Sequence, residues 1–166
     1  MFDYSLDFKN INFREHPELY RVGKGEQGVL LVEPYKSEIL PYWRFKTPDI
    51  AKESSEKIYQ MFFEYLEQDD FVGADMARKF LQMGYTRSRR YANHKSGRKY
   101  KTNPQKETSQ EAQIKARKDI LPNEVDPIKA ESAGIFKEKW MQAKMNEKYL
   151  RLLAKHKQKY ADESSE

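Results

Sequence analysis

The residues of this chain that could do chemistry concentrate between Thr86 and Lys101. Arg87, Arg89, Arg90, Lys95, Arg98, Lys99 and Lys101 fall within sixteen residues, and no Asp or Glu interrupts them. Tyr91, His94 and Tyr100 are interleaved with the charges, and Gly84 and Tyr85 precede them. Cationic side chains contact phosphates, while rings set between them stack on exposed bases. The planar Arg fork offers phosphate paired, charge-assisted hydrogen bonds. The pattern points to non-catalytic binding of nucleic acid or another polyanion through Arg87, Arg89, Arg90, Tyr91, His94, Lys95, Arg98 and Lys99. No zinc finger, helix-turn-helix or RNP motif names a module. The competing expectation is a solvated turn whose arginines pair with Glu53, Glu56, Glu64, Asp69, Asp70 and Asp75.

A second constellation is Gly23-Lys24-Gly25-Glu26-Gln27-Gly28, which matches GxGxxG. A dinucleotide fingerprint requires a helix to start inside it, and a kinase loop requires a lysine strand with HRD and DFG motifs. None of these follows here. The stretch reads as a hairpin connection. Its alternative is a phosphate-contacting turn with Arg21, Gly23, Lys24 and Gly25, sharing a pocket with Arg87, Arg90 and His94. A phosphorylated small molecule or nucleotide would bind, or be turned over, there.

Support for catalysis is thin. His16, His94 and His156 are scattered, and neither HExxH nor GxSxG occurs. His94 is the one acid–base candidate, because surrounding cations favour its neutral form. No metal and no cofactor are expected.

The basic character is local. The whole chain carries +5, yet residues 1–85 hold eleven Lys/Arg against fifteen Asp/Glu, and residues 102–166 hold thirteen against eleven. There is no cysteine, which excludes disulfide and thiolate chemistry. The start, MFDYSLDFKNINF, lacks the basic and apolar regions of a signal peptide, and no apolar run approaches a membrane span. A cytoplasmic protein with no membrane partner is expected.

These residues need a scaffold, and the pattern predicts α+β. Three short antiparallel strands are expected at Leu19–Val22, Val29–Glu33 and Tyr42–Phe45, from their β-branched and aromatic content. Trp43, Arg44 and Phe45 form either a sheet face or an aromatic wall with Tyr20 and Tyr42. Thr47-Pro48-Asp49 opens a helix to about Glu67. A second runs from Phe71 to Met83, where Gly84 closes it. Thr86 then caps a short third helix to Asn93. Residues 1–103 form the core domain, including the basic stretch. Residues 104–166 form a helical extension, with helices at Glu111–Ile120 and from Ile128 to about Tyr160. The extension packs on the core or on a second subunit, giving a homodimer through the C-terminal helix. A helical adaptor acting through that apolar face is a third functional reading.

The strings YRVGKGEQGVL, EPYKSEILPYWRFK and ADMARKFLQMGYTRSRRYANH resemble a family of small soluble proteins of unassigned function, found in bacteria, their phages and some eukaryotic microbes. The resemblance spans residues 1 to about 155. It implies a cytosolic single-domain protein and assigns no activity, cofactor or site residue.

Overall fold

The computed structural model describes residues 2–93, 103–118 and 126–160. Six α-helices run through them: α1 Tyr35–Ile39, α2 Pro48–Glu67, α3 Phe71–Asn93, α4 Gln110–Lys118, α5 Pro127–Lys144 and α6 Glu147–Lys159. Local chemistry explains where the longer ones begin. Thr47 Oγ1 accepts from the Ile50 amide at 3.3 Å, and Pro48 takes the first helical position of α2. Asp126 Oδ1 accepts from the amides of Ile128 at 3.0 Å and Lys129 at 3.3 Å, ahead of Pro127 in α5. Between α2 and α3, Asp69 adopts φ 54°, and the Asp70 carboxylate accepts from the Gly73 amide.

The core lies where α2, α3 and α5 meet. Ile58, Phe62, Met76, Phe80, Leu81 and Phe136 are completely buried there. The α6 helix turns back so that Tyr149 packs on Phe62 and Phe71. An irregular N-terminal arm closes the remaining side. Phe2, Phe8 and Phe13 form a run of stacked rings, and Phe2 and Phe13 both reach Tyr20 edge-on.

The expected α+β fold is therefore incorrect: the protein is all-α, and no strand occurs among the described residues. Each segment expected as a strand satisfies its backbone in another way. Within 29–33, the Val29 and Leu31 amides donate three residues back, to Glu26 and Gly28. Val29 and Val32 are buried, whereas Leu30 and Leu31 face outward, which is the spacing of a turn and not of a strand. Leu19 ends a short 3-10 turn from Pro17, and the Tyr20 carbonyl accepts from His156. Tyr42 ends another such turn. Beyond it, Ser54 Oγ donates to the Tyr42 carbonyl at 2.6 Å and accepts from the Arg44 amide at 3.0 Å. One hydroxyl on α2 thus takes the place of a neighbouring strand.

Two helix boundaries also differ from expectation. Gly84 does not end a helix, and Thr86 caps none; α3 continues unbroken to Asn93. The glycine is needed for close approach. A Cβ there would lie 2.3 Å from Cδ1 of Phe136 on α5. Conversely, the long C-terminal helix divides at Met145–Asn146, where Asn146 Oδ1 accepts from the Tyr149 amide at 2.9 Å and starts α6. Among the described residues, no helix is long and apolar enough to cross a membrane.

Candidate nucleic-acid interface

The last two turns of α3 carry the described part of the basic stretch. Ser88 and Ala92 are buried and keep this end against the core. Arg87, Arg89 and Arg90 are exposed. None of them pairs with the carboxylates that the solvated-turn expectation assigned to them. Asp75 is taken by Arg78 and Lys79. Asp70 accepts from Tyr35 and faces Arg14 at 3.6 Å. Asp69 meets Lys148 at 3.2 Å, and Glu64 accepts from Gln60. Glu53 and Glu56 are exposed on α2. His94, Lys95, Arg98 and Lys99 lie outside the described residues.

Tyr91 opens onto a groove. Among the described residues it is lined by Arg44, Phe45, Lys46, Ile50, Tyr91 and Lys129, around a volume of about 410 Å³. The Phe45 and Tyr91 ring centroids are 6.0 Å apart with planes tilted by 39°. Phe45 rests on Trp43, which rests on Phe80, so the ring chain runs from the exposed end of α3 into the core. Trp43 Nε1 donates to the Phe80 carbonyl at 3.1 Å and fixes that chain to α3. On the far wall, the Lys129 ammonium donates to the Lys46 carbonyl. Three elements distant in sequence thus build one groove that, among the described residues, is lined by three cations and no carboxylate.

The Gly23–Gly28 segment is not a hairpin connection but a series of tight turns. Gly25 and Gly28 take positive φ, at 62° and 79°. Its carbonyls point inward: Gly25 accepts from Arg78 Nη1 at 2.8 Å, and Gln27 accepts from Lys79 Nζ at 2.7 Å. The Lys24 amide donates to the Gln27 side chain. Lys24 and Arg87 do line one shallow depression of about 340 Å³ between this loop and α3. Glu26 lines it too, with its carboxylate accepting from Thr86 Oγ1 at 3.0 Å. Arg21 is engaged with the Glu18 carbonyl at 2.6 Å. Of the residues expected to share a phosphate pocket, Lys24 and Arg87 share this depression, while Arg21 and Arg90 are absent from its lining.

Beneath that loop lies a buried ionic cluster that the sequence reading overlooked. The Asp75 carboxylate is fully buried. Arg78 donates to Oδ1 at 2.7 and 3.2 Å, Tyr149 donates to Oδ1 at 2.7 Å, and Tyr20 donates to Oδ2. Lys79 Nζ stands 3.7 Å from Oδ2. Burial pushes the Asp75 carboxyl up, but Arg78, Lys79 and the two phenols outweigh it and hold it well below the usual carboxylate range. Burial lowers the Lys79 ammonium to about 8, offset only in part by Asp75 and reinforced by Arg78. The lone carboxylate here is already neutralised by Arg78. The cluster joins α3, α6, the arm and the glycine loop, and it is closed to solvent, so its work is structural.

Sequence reasoning also missed Lys46 and Lys129 as groove residues. Arg44 and Phe45 were visible as an aromatic wall, yet nothing in the order of residues brings Lys129 to them. The spacing of Asp75, Arg78 and Lys79 at i, i+3 and i+4 was the legible trace of the ionic cluster.

The chain belongs to a family described as Domain of unknown function (DUF4385), whose model matches residues 3–159. An uncharacterised family is what the three strings implied. No curated protein and no solved structure matches.

Proposed function

We propose that the protein is a non-catalytic nucleic-acid binder acting in the cytosol, and that the exposed end of α3 makes its main contacts. The observation that carries this reading is the state of Arg87, Arg89 and Arg90. They are exposed on a helix fixed by the Gly84–Phe136 crossing, and they form no ion pair among the described residues. Cations held ready on a rigid element and unmatched by acids favour a polyanion as their counterpart. In the sequence the charge continues through Lys95, Arg98 and Lys99. A small phosphorylated ligand at Lys24 and Arg87 is the weaker reading, because the Glu26 carboxylate lines the same depression.

The test is a fluorescence-anisotropy titration of labelled oligonucleotides at several salt concentrations, with wild type and an Arg87→Ala/Arg89→Ala/Arg90→Ala variant. Wild type should bind with an affinity that falls log-linearly with salt, and the variant should bind at least about tenfold more weakly with a shallower slope. Unchanged affinity in a variant with the wild-type circular dichroism spectrum sinks the proposal.

A further inference from the structure

We infer that the groove between Tyr91, Phe45 and Lys129 is a stacking subsite for one base of a single-stranded nucleic acid. This rests on the nucleic-acid reading above and narrows it, since a duplex hides the faces of its bases.

The floor and the rim of the groove differ in chemistry, and a nucleotide has the same division. Tyr91, Phe45 and Ile50 supply an apolar floor, while Arg44, Lys46 and Lys129 supply cations around it. A base brings a flat apolar face and drags a phosphate beside it, so rings flanked by cations suit it. Tyr91 is 36 % exposed, enough for one ring face to be reached. The 6.0 Å spacing and 39° tilt of Phe45 and Tyr91 leave no parallel slot between them. A base would therefore lie over the rings from the open side.

Rigidity distinguishes this groove from a chance surface dent. Phe45 is backed by Trp43 and Phe80. Ser54 holds the backbone at Tyr42 and Arg44. Lys129 ties the Lys46 carbonyl to α5, and the Asp126 amide donates to the Ala92 carbonyl at 2.7 Å, joining the start of α5 to the end of α3. The Asp126 carboxylate accepts from the first amides of α5, which fixes the start of that helix beside the groove. A preformed site loses little freedom on binding.

Continuity with the arginines sets the direction of the strand. Arg87 and Tyr91 are four residues apart on α3 and so share a face one turn apart. A phosphate held at Arg87 places a neighbouring base within reach of Tyr91. Electrostatic attraction at Arg87 and Arg90 and stacking at Tyr91 are then separate contributions, and separate variants remove them.

The experiment compares anisotropy titrations of a labelled homothymidine strand, an abasic strand of equal length and a duplex of equal length, at one fixed salt concentration. The proteins are wild type, Tyr91→Ala, Tyr91→Leu, Tyr91→Phe and Arg87→Ala/Arg90→Ala, each checked by thermal melting. Wild type should prefer the base-bearing strand over the abasic one by about tenfold, the scale of one base–aromatic stack. Tyr91→Ala and Tyr91→Leu should erase that preference and leave the abasic affinity unchanged, while Tyr91→Phe retains it. The leucine variant keeps apolar bulk, so it reports the lost ring face even where alanine unfolds the helix end. A preference that survives Tyr91→Leu, a wild type indifferent to bases, or a duplex bound as tightly as the single strand overturns the stacking subsite. In those cases a loss of affinity in Arg87→Ala/Arg90→Ala leaves the broader reading standing. Undiminished binding by that arginine variant strikes the broader reading itself.

Discussion

Phe136 lies across Gly84 so closely that a β-carbon on the glycine would stand 2.3 Å from the ring. The α3 and α5 helices thus meet where α3 has no side chain, and the exposed arginines begin one turn beyond. This predicts opposite signs for two glycine substitutions. Gly84→Ala should destabilise the fold by about 1–3 kcal/mol, because the fully buried Phe136 has nowhere to move. Gly134→Ala, in α5 with open space around the new methyl, should instead stabilise by about 0.5–1 kcal/mol. Chemical denaturation of both variants checks the pair. A stabilised Gly84→Ala would mean that the helices do not cross there.

Asp75 answers for two cations. Its carboxylate meets both Arg78 and Lys79 in a fully buried site. Asp75→Asn keeps the shape, removes the charge and brings an amide donor toward groups that donate already. The expected loss is about 3–5 kcal/mol, since uncompensated charge then stays inside. Removing one stranded cation as well, in Asp75→Asn/Lys79→Met, should recover part of it. Urea unfolding measures both steps, and a neutral Asp75→Asn would show that the cluster is not buried as described.

Lys79 also makes stability depend on alkaline pH. Its ammonium titrates near 8 in the folded chain, against 10.5 for an ordinary lysine. Between those values the unfolded chain binds more protons, so this group's contribution makes the folded state more stable as pH rises. The phenols act in the opposite sense higher up. Burial and the neighbouring carboxylates raise Tyr20, Tyr35, Tyr65 and Tyr149, so the unfolded chain loses their protons first and stability falls above about pH 10. The melting temperature should climb from about pH 8 toward about pH 10 and then drop. Lys79→Met should flatten the climb and keep the drop. A wild type and a Lys79→Met protein with parallel profiles would contradict the assignment.

What the sequence disclosed was chemistry between near neighbours. Thr47-Pro48 and Asp126-Pro127 start helices where expected, because a cap needs only residues within one turn. Several of the failures turn on partners far along the chain. Val29 to Glu33 has the composition of a strand, but Arg78 and Lys79, fifty residues on, hold the carbonyls of the preceding loop. Gly84 can close a helix or admit a crossing neighbour, and Phe136 decides which. Asn146 looked like an interior residue of one long helix, although it caps a new one. For the candidate site, the Arg87–Tyr91 run was legible as a local density of charge. Its groove was not, because Lys129 reaches the Lys46 carbonyl across eighty-three residues of sequence.

The helical placement of the three arginines makes a last prediction about salt. Arg87 and Arg90 are three residues apart and stand on neighbouring faces of α3, whereas Arg89 lies about 200° round from Arg87. One strand running past Tyr91 can neutralise the first two together and reaches the third less readily. Each phosphate contact that is lost lowers the slope of log affinity against log salt by about 0.7 for a single strand. Arg87→Ala/Arg90→Ala should therefore reduce the slope by about 1.4, and Arg89→Ala by clearly less than 0.7. Titrations of the homothymidine strand across a salt series give both numbers. Equal effects per arginine would place the phosphates around the whole helix end and remove the ordered path from Arg87 to Tyr91.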